Sequence, residues 1–230
     1  MKYLEIFEDI PGIKAFFSTK EGAVEGSPYN NEELFSELGL EKAFRVFPQQ
    51  VHEATVCDIT GDMIRGDSIS LPSTDGTVTR EKNVLLTTVH ADCPPVYFAH
   101  NKGDAVGMVH SGWRGTLAGI CPQTVRRMVS LYGISPENLR VHIGPSISRC
   151  CFEVGDEVIR AFNLEWGYSF TENNMMDLKA IIRRQLEDAG VPSVNISDDG
   201  HCTYCEPEMF CSYRREGGTY MRMGAGICIL

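Results

Sequence analysis

Apolar residues occur along the chain in short runs separated by glycine, proline, asparagine and charged residues, a pattern that predicts β-strands. Three runs, at residues 83–90, 95–99 and 105–110, are largely continuous, as in strands of a sheet covered on both faces. The predicted strands are residues 13–19, 44–52, 54–59, 83–90, 95–99, 105–110, 139–144, 194–198, 209–214 and 219–230.

Helices are predicted between these runs, at residues 31–39, from Thr116 to about Leu131, from Asp156 to about Phe162, and from Met176 to about Ala189. The last segment has apolar residues at helical spacing: Leu178, Ile181, Ile182 and Leu186. Pro122 is expected to kink the second helix or delay its start. Strand runs mixed with helices indicate an α+β fold, with mixed β-sheets covered by helices in a single domain over residues 1–230. No G-x-G-x-x-G or P-loop motif favours a nucleotide-binding fold.

Composition and charge limit the partners that we expect. The formal net charge of −10 argues against a nucleic-acid surface, and no run of eighteen apolar residues could cross a membrane. Glu5, Glu8 and Asp9 interrupt the start of the chain, where a secretory signal needs an apolar core, so a cytoplasmic location is expected. A small molecule is the expected partner.

Nine cysteines are many for a chain of 230 residues, and in the cytoplasm we expect them to be reduced. His201, Cys202 and Cys205, with Cys211 after them, could hold a structural zinc ion, but a second well-placed pair is missing, and core or loop thiols are the preferred interpretation. The side chains of the adjacent Cys150 and Cys151 are expected to diverge, so that only one would face such a site.

Three reactive side chains end predicted strands: His52, Cys93 and His110. Two imidazoles and a thiolate suit a borderline-soft metal, and three protein ligands with an open fourth position are typical of catalytic zinc. The spacings of 41 and 17 residues require the fold to assemble the site. The alternative is a buried thiol and two core histidines.

The segment HSGWRG at residues 110–115 is unusual after an apolar strand. A turn through Gly112 and Gly115 into a helix capped by Thr116 would offer backbone N–H groups to an anion, and Arg114 would add a guanidinium suited to phosphate. The alternative is a tight turn in which Trp113 packs and Arg114 pairs with a surface carboxylate.

Five motifs in order along the chain resemble the laccase-domain or polyphenol oxidoreductase (YfiH-like) family, whose members are also described as purine nucleoside phosphorylases. The motifs are Gln50-Val51-His52, Ala91-Asp92-Cys93-Pro94-Pro95, His110-Ser111-Gly112-Trp113-Arg114-Gly115, Gly144-Pro145-Ser146-Ile147 through Cys150-Cys151-Phe152-Glu153-Val154-Gly155, and Ser212-Tyr213-Arg214-Arg215-Glu216-Gly217.

This resemblance implies a zinc-type site at His52, Cys93 and His110, and an α+β fold with a distant likeness to cytotoxic necrotizing factor toxins. It implies phosphorolysis of adenosine, inosine and S-methyl-5'-thioadenosine, with adenosine deamination as a side activity. A monomer or weak homodimer is expected. Zinc is the expected cofactor rather than copper.

Catalytic roles are expected for Asp92, Cys93 and Arg114, with Asp92 either a proton carrier or a structural acceptor. Substrate or phosphate binding is expected from Ser111, Gly112, Arg114 and Lys20.

The sequence departs from the family pattern in its N-terminal third. The family's S-T-R-x-G-G is here Ser18-Thr19-Lys20-Glu21-Gly22-Ala23, and the segment between residues 29 and 44 is shorter than usual, which puts substrate contacts there in doubt. His90 lies three residues before Cys93, on the opposite face of a strand, and is not expected to be a ligand.

Three other functions remain open from the sequence. Two histidines and a cysteine also suit copper-dependent polyphenol oxidation, although six histidines are too few for a multinuclear copper cluster as well. A metal-independent hydrolase could use Cys93 and His110 on cell-wall precursors. A non-enzymatic metal-binding adaptor is the third alternative.

Overall fold

A computed structural model describes residues 1–22, 24–25, 32–218 and 220–230. The predicted positions Ala23, Asn31 and Thr219 lie outside the described residues. The strands are β1 (Tyr3–Ile6), β2 (Ile13–Ser18), β3 (Val24–Glu25), β4 (Phe44–Pro48), β5 (Val56–Ile59), β6 (Ser68–Leu71), β7 (Gly76–Thr79), β8 (Val84–His90), β9 (Pro95–His100), β10 (Val106–His110), β11 (Leu139–Ile143), β12 (Thr171–Glu172), β13 (Met175–Met176), β14 (Ile196–Asp198) and β15 (Met221–Ile229).

The α-helices are α1 (Glu32–Glu37), α2 (Trp113–Leu117), α3 (Ile120–Tyr132), α4 (Asp156–Trp166) and α5 (Leu178–Asp188). Single turns of 3₁₀ helix occur at Lys20–Gly22, Gly61–Met63, Pro136–Asn138 and Ser193–Asn195. In the part of the chain that the structure describes, no helix is both long enough and apolar enough to span a bilayer.

Two large mixed sheets make up the centre of the fold. The described strands of the first sheet follow the order β1-β2-β15-β8-β4-β6, with β3 also paired to β15. Those of the second sheet follow the order β14-β11-β9-β10-β7-β5. Both sheets contain parallel and antiparallel pairs, since β4 is parallel to β8 and β8 is antiparallel to β15 in the first, and β11 is parallel to β14 and antiparallel to β9 in the second. The predicted α+β class with mixed sheets is confirmed.

Neighbouring residues of one strand face different cores, which explains the continuous apolar runs. On β9, Tyr97 packs in the core between the two sheets, whereas Phe98 packs in the core between the second sheet and helices α3, α4 and α5. On β2, Phe17 faces the second sheet and Phe16 faces α1. Because strand residues alternate between faces, a sheet covered on both sides needs apolar residues at every position.

Two predicted strands are shorter than expected or are not formed. The predicted strand 44–52 ends at Pro48, and the predicted strand 209–214 forms turns and irregular structure. In both segments the backbone N–H groups bind side chains instead of a neighbouring strand: Val51, His52 and Glu53 donate to Asp75, and Arg214 donates to Asp92. Hydrogen bonds to these side chains therefore replace the strand-to-strand hydrogen bonds that the apolar pattern predicts.

The helix boundaries also differ from the prediction around residues 113–132. The chain forms two helices in place of one that begins at Thr116, and Thr116 lies inside α2 and is not its cap. The break falls at Gly119, which has a left-handed φ of 75°. Pro122 lies in the first turn of α3, where proline is tolerated, so it marks the delayed start that was predicted.

Candidate active site

Three segments that follow strands bring His52, Cys93 and His110 together. Cys93 lies in the connection between β8 of the first sheet and β9 of the second, His110 is the last residue of β10, and His52 lies in the loop after β4. Their ligand atoms all lie within 4.8 Å of one another. The two imidazole rings meet edge to face with centroids 4.8 Å apart. The site therefore lies where the chain crosses between the two sheets.

Asp75, in the turn before β7, fixes both histidines. Its Oδ1 accepts hydrogen bonds from the backbone N–H of His52 at 3.0 Å and from Nδ1 of His110 at 2.8 Å. Its Oδ2 accepts from the backbone N–H groups of Val51 and Glu53 at 3.0 and 3.1 Å. These bonds hold His52 in the left-handed region at φ 64° and leave Nε2 of His110 to face Cys93. A carboxylate behind an imidazole orients it as a metal ligand.

The electrostatics of the site favour a Cys93 thiolate. Burial raises the pKa of Cys93, but the charge of His110 and hydrogen bonds from His110 and His52 outweigh burial and lower it to about 6. Burial lowers the pKa of His110, but the Cys93 thiolate and the Asp75 carboxylate outweigh burial and raise it to about 9. Without a metal, both groups are therefore charged near neutral pH, as a thiolate paired with an imidazolium, and a metal ion would have to displace the Nε2 proton of His110.

Glycines at 112 and 115 let the backbone pack against this cluster. A Cβ atom at Gly112 would lie 3.0 Å from Cδ2 of His52 and 3.1 Å from Sγ of Cys93. A Cβ atom at Gly115 would lie 2.8 Å from the carbonyl oxygen of Glu53. The two glycines of HSGWRG therefore allow the turn after β10 to approach the metal-type ligands and the His52 loop.

The structure does not bring the other predicted binding residues into the site. Among the described residues, Ser111, Arg114 and Lys20 do not line the cavity beside the cluster. The Ser111 hydroxyl is buried against Oγ1 of Thr116 at 2.8 Å, and Nζ of the exposed Lys20 lies 3.3 Å from the carbonyl oxygen of Pro207. Their predicted binding roles are therefore not supported by their contacts.

Arg114 is exposed on α2, with its guanidinium 4.2 Å from the centre of the Trp113 ring. This stacking differs from the alternative pairing with a carboxylate, and the predicted phosphate contact of Arg114 stays a prediction. Since α2 has only five residues, its N-terminus also lacks the aligned peptide dipoles of a long helix.

Asp92 has the contacts of a structural acceptor. Its buried carboxylate accepts hydrogen bonds from the Thr203 hydroxyl at 2.6 Å, from the Ser212 hydroxyl at 3.0 Å and from the Arg214 backbone at 2.7 Å. Both oxygens are thus occupied by donors of the 203–214 segment. The residue ties this segment to Cys93, its neighbour in sequence, and we do not assign it the proton-carrier role.

His90 lies beside the cluster but uses both ring nitrogens elsewhere. Nδ1 lies 2.9 Å from the carbonyl oxygen of Cys93, which can only accept, so Nδ1 carries the proton. The Thr88 hydroxyl lies 2.7 Å from Nε2 and donates to it. Burial, and then the charge of His110, hold the pKa of His90 well below its ordinary value, so the ring is neutral. Its contacts agree with the prediction that it is not a ligand.

A cavity of about 470 Å³ opens onto the cluster, within the usual size range of ligand sites. Besides His52, Cys93 and His110, its lining includes Gln50, Tyr213 and Arg222. The motif positions of Gln50 and Tyr213 could have indicated them, but Arg222 lies in the apolar run of β15, where the sequence pattern gives no functional signal.

A second thiol cluster corrects the sequence analysis. Sγ of Cys205 lies 3.6 Å from that of Cys150 and 3.3 Å from that of Cys151, and Cys150 lies 3.6 Å from Cys202. Cys150 and Cys151 therefore form the second pair of cysteines beside Cys202 and Cys205, which was not expected from their sequence positions. Their side chains do not diverge because they occupy a turn, closed by the backbone N–H groups of Cys151 and Phe152 on the Ser148 carbonyl, and not a strand.

Comparisons with known proteins agree with the fold and with the motifs. Residues 15–230 match the family described as multi-copper polyphenol oxidoreductase laccase. The chain is 37% identical over 191 residues to purine nucleoside phosphorylase YlmD of Geobacillus stearothermophilus, covering 78% of this chain and 70% of that protein. It is 30% identical to adenosine deaminase RL5 from an unknown prokaryotic organism, covering 99% of this chain and 98% of that protein.

Among solved structures, the fold is similar to that of the hypothetical protein YfiH of Bacillus licheniformis, with a TM-score of 0.89 at 30% sequence identity, covering 100% of this chain and 97% of that chain. The predicted YfiH-like architecture is thereby confirmed, while the likeness to cytotoxic necrotizing factor stays a prediction.

Proposed function

Because the chain belongs to the multi-copper polyphenol oxidoreductase laccase family, as its motifs predict, we propose that its cavity is the active site of a zinc-dependent purine nucleoside phosphorylase. The proposed substrates are adenosine, inosine and S-methyl-5'-thioadenosine, with adenosine deamination as a side activity. The observation that carries the proposal is the convergence of His52, Cys93 and His110 on the wall of a ligand-sized cavity. The names of the relatives support both activities.

The donor set of the cluster fits zinc. His52, Cys93 and His110 supply two imidazole nitrogens and one thiolate, and the cavity leaves a further position for an exchangeable ligand. When bound, zinc would supply Lewis acidity toward an oxygen of phosphate or water.

Among the described residues, no further histidines come together for a multinuclear copper site. The other four histidines bond elsewhere: His90 to Thr88 and Cys93, His100 to Asp104, His142 to Ser197, and His201 to Glu206. The groups of metal-type ligands found among the described residues include no second histidine cluster. We therefore rank polyphenol oxidation below phosphorolysis.

Arg222 replaces Arg114 as the proposed phosphate-binding residue. It lines the cavity beside the cluster, whereas Arg114 stacks outside on Trp113. A guanidinium suits phosphate because its N–H groups match two phosphate oxygens. Tyr213, half exposed at the cavity, is proposed to stack on the purine ring. Gln50 positions the His52 loop, since its amide donates to the Val89 carbonyl and accepts from the Val89 N–H.

The test measures bound metal and adenosine turnover together. Wild-type protein and Cys93→Ser, both purified without added metal, are analysed for zinc and copper, and adenosine loss is followed by chromatography with and without phosphate. We expect one zinc equivalent and phosphate-dependent adenine release to be lost in the variant. Adenosine that stays untouched by metal-loaded wild-type protein would refute the proposal.

Arg222→Ala and Arg114→Ala form a matched pair for the phosphate site. We expect Arg222→Ala to raise the phosphate KM by about tenfold or more, since a hydrogen bond to a charged group contributes about 1.5–3 kcal/mol. Arg114→Ala should stay close to wild type. A KM raised only by Arg114→Ala would restore the contact expected from the sequence.

One observation supports a second candidate, the metal-independent Cys-His hydrolase of cell-wall precursors. The low pKa of Cys93 beside His110 is also the state of an activated nucleophile. Metal analysis separates the two, because this hydrolase would turn over its substrate after complete removal of metal.

One domain over residues 1–230, a cytoplasmic location and a monomer or weak homodimer stay predictions.

A further inference from the structure

Four cysteine side chains meet near the surface, beyond the C-terminal ends of β11 and β14, at the same end of the second sheet as His110. They come from two turns: Cys150 and Cys151 from the turn after β11, and Cys202 and Cys205 from the turn after β14. All four sulfur atoms lie within 4.8 Å of one another. This cluster is separate from the group formed by His52, Cys93 and His110.

The spacing of the sulfurs matches a tetrahedral metal site. Zinc binds thiolates at about 2.3 Å, so the edges of a ZnS₄ tetrahedron measure about 3.8 Å. Three of the sulfur pairs lie at 3.3, 3.6 and 3.6 Å. A disulfide requires about 2.05 Å between two sulfurs and would leave the other two cysteines without a role. A tetrahedrally coordinated zinc ion would bind all four.

The two turns are built to hold sulfur ligands in place. The backbone N–H of Ser148 donates to Sγ of Cys202 at 3.4 Å, a contact that stabilises a thiolate. The 202–206 turn is closed by the N–H groups of Cys205 and Glu206 on the Cys202 carbonyl, and Glu206 accepts from the Cys202 N–H at 2.9 Å. The C-x₂-C segment therefore has both of its sulfurs fixed on one side of a hydrogen-bonded turn.

Two basic side chains, Lys179 and Arg215, bind the backbone of the second turn, and each also pairs with a carboxylate, that of Asp199 and that of Glu216. Nζ of the largely buried Lys179 donates to the His201 carbonyl at 2.9 Å. Nη1 of Arg215 donates to the carbonyls of Thr203 and Tyr204 at 2.5 and 3.0 Å. Both cations thus bind the backbone of the turn that carries Cys202 and Cys205.

We propose that Cys150, Cys151, Cys202 and Cys205 bind one structural zinc ion that joins the two turns. Zinc with four cysteine ligands has no open position, so this site supports the fold and takes no part in turnover. Its second turn contains Thr203, whose hydroxyl holds Asp92 next to Cys93. The ion would therefore stabilise the turn that holds Asp92 beside Cys93, although the ion itself lies outside the cavity.

The first test counts zinc in full-length protein purified under reducing conditions without added metal. The variant Cys150→Ser/Cys205→Ser changes two exposed ligands, and Cys57→Ser is the control, since Cys57 lies outside both clusters. We expect the double variant to hold one zinc equivalent less than wild type and Cys57→Ser. Equal zinc content in all three proteins would overturn the proposal.

The count does not depend on the proposed enzyme. Cys93→Ser should keep the zinc that the double variant loses, whether or not any nucleoside is turned over. Cobalt substitution gives a second readout, because thiolate-to-cobalt charge-transfer absorption should persist in Cys93→Ser and be largely lost in the double variant. Loss of the band in Cys93→Ser alone would contradict the four-cysteine site.

A measurement on unmodified protein covers the case in which the double variant does not fold. Wild-type protein is titrated with a mercurial thiol reagent while zinc release is recorded and the labelled cysteines are identified by mass spectrometry. We expect one zinc equivalent to leave as Cys150 and Cys205 are labelled. Zinc-free protein with disulfides among the four cysteines would show a redox cluster and refute the zinc site.

Discussion

Asp75 accepts four hydrogen bonds on a carboxylate that has no exposure to solvent. Burial raises its pKa, but the bond from His110 and the backbone N–H groups of Val51 and Glu53 outweigh burial and lower it. The residue therefore stays ionised, and one side chain sets both the backbone of His52 and the ring of His110.

Replacing Asp75 by asparagine should weaken zinc binding by about 10- to 100-fold, the usual effect of losing the group behind a histidine ligand. The amide nitrogen of asparagine cannot accept, so one pair of N–H groups loses its partner at a cost of about 1–3 kcal/mol in the free energy of unfolding. Chelator competition measures the affinity and urea unfolding the stability.

Asp58→Asn is the control for this variant, because Asp58 accepts a hydrogen bond from Tyr132 away from the site. It should change zinc affinity little. An unchanged affinity in Asp75→Asn would show that His52 and His110 keep their geometry without the carboxylate.

The sequence identified the metal-type ligands but not the residue behind them. His52, Cys93 and His110 follow apolar runs, where a reactive side chain is informative, and the family motifs contain all three. An aspartate before a glycine, as at Asp75, is ordinary turn composition and gives no separate signal. Arg114 was expected at the site because its residue type suited phosphate, but residue type does not report the side-chain direction that stacks it on Trp113.

At the level of elements, the break between α2 and α3 shows how one glycine divides a helical pattern. Gly119 takes a left-handed φ of 75°, and a Cβ atom there would lie 3.1 Å from the Trp166 ring. The indole Nε1 of Trp166 donates to the Leu117 carbonyl at 2.9 Å, at the end of α2. The break is therefore stabilised by a contact from α4, which a local pattern cannot report.

Gly119→Ala should destabilise the protein more than Gly133→Ala. Both glycines have a positive φ, for which alanine costs about 1–2 kcal/mol, but nothing lies within 4 Å of a Cβ atom at Gly133. Crowding against Trp166 should add about 1 kcal/mol or more at Gly119. Urea unfolding of both variants measures the difference, and equal losses would mean that the Trp166 ring moves away freely.

Most strands were predictable because burial on both faces leaves a continuous apolar run, as in β8, β9 and β10. The error at residues 209–214 has a physical cause. Phe210 and Cys211 are buried like strand residues, but the N–H of Ser212 donates to Glu216 and that of Arg214 to Asp92. Burial and strand pairing are separate properties, and an apolar run reports only burial.

At the level of the whole molecule, Tyr97 links the two sheets. It lies on β9 of the second sheet, and its hydroxyl donates to the Phe16 carbonyl of the first sheet at 2.8 Å. Burial raises its pKa well above the ordinary value, with the charge of Asp199 acting in the same direction. The folded protein therefore keeps this phenol protonated at a pH where the unfolded chain loses the proton.

This shift predicts a loss of stability in alkali. Because the folded pKa is raised, the contribution of Tyr97 is complete below the unfolded pKa of about 10 and is lost as the pH rises above it. In Tyr97→Phe, the fall in unfolding free energy above pH 10 should be shallower by up to about 1.4 kcal/mol per pH unit. Urea unfolding at several pH values measures the slope.

Tyr220→Phe is the control, since Tyr220 is 90% exposed and should leave the slope unchanged. A slope in Tyr97→Phe equal to that of wild type would mean that the buried phenol ionises without unfolding the protein.

The position of β15 bears on when the site can form in the cell. This strand is translated after the other described strands, yet it lies between β2 and β8 in the first sheet and places Arg222 at the cavity. During translation, the nascent chain therefore contains His52, Cys93 and His110 long before the first sheet can be completed. We expect metal loading at this site to follow translation of Met221–Ile229, so that an unfinished chain does not retain zinc there.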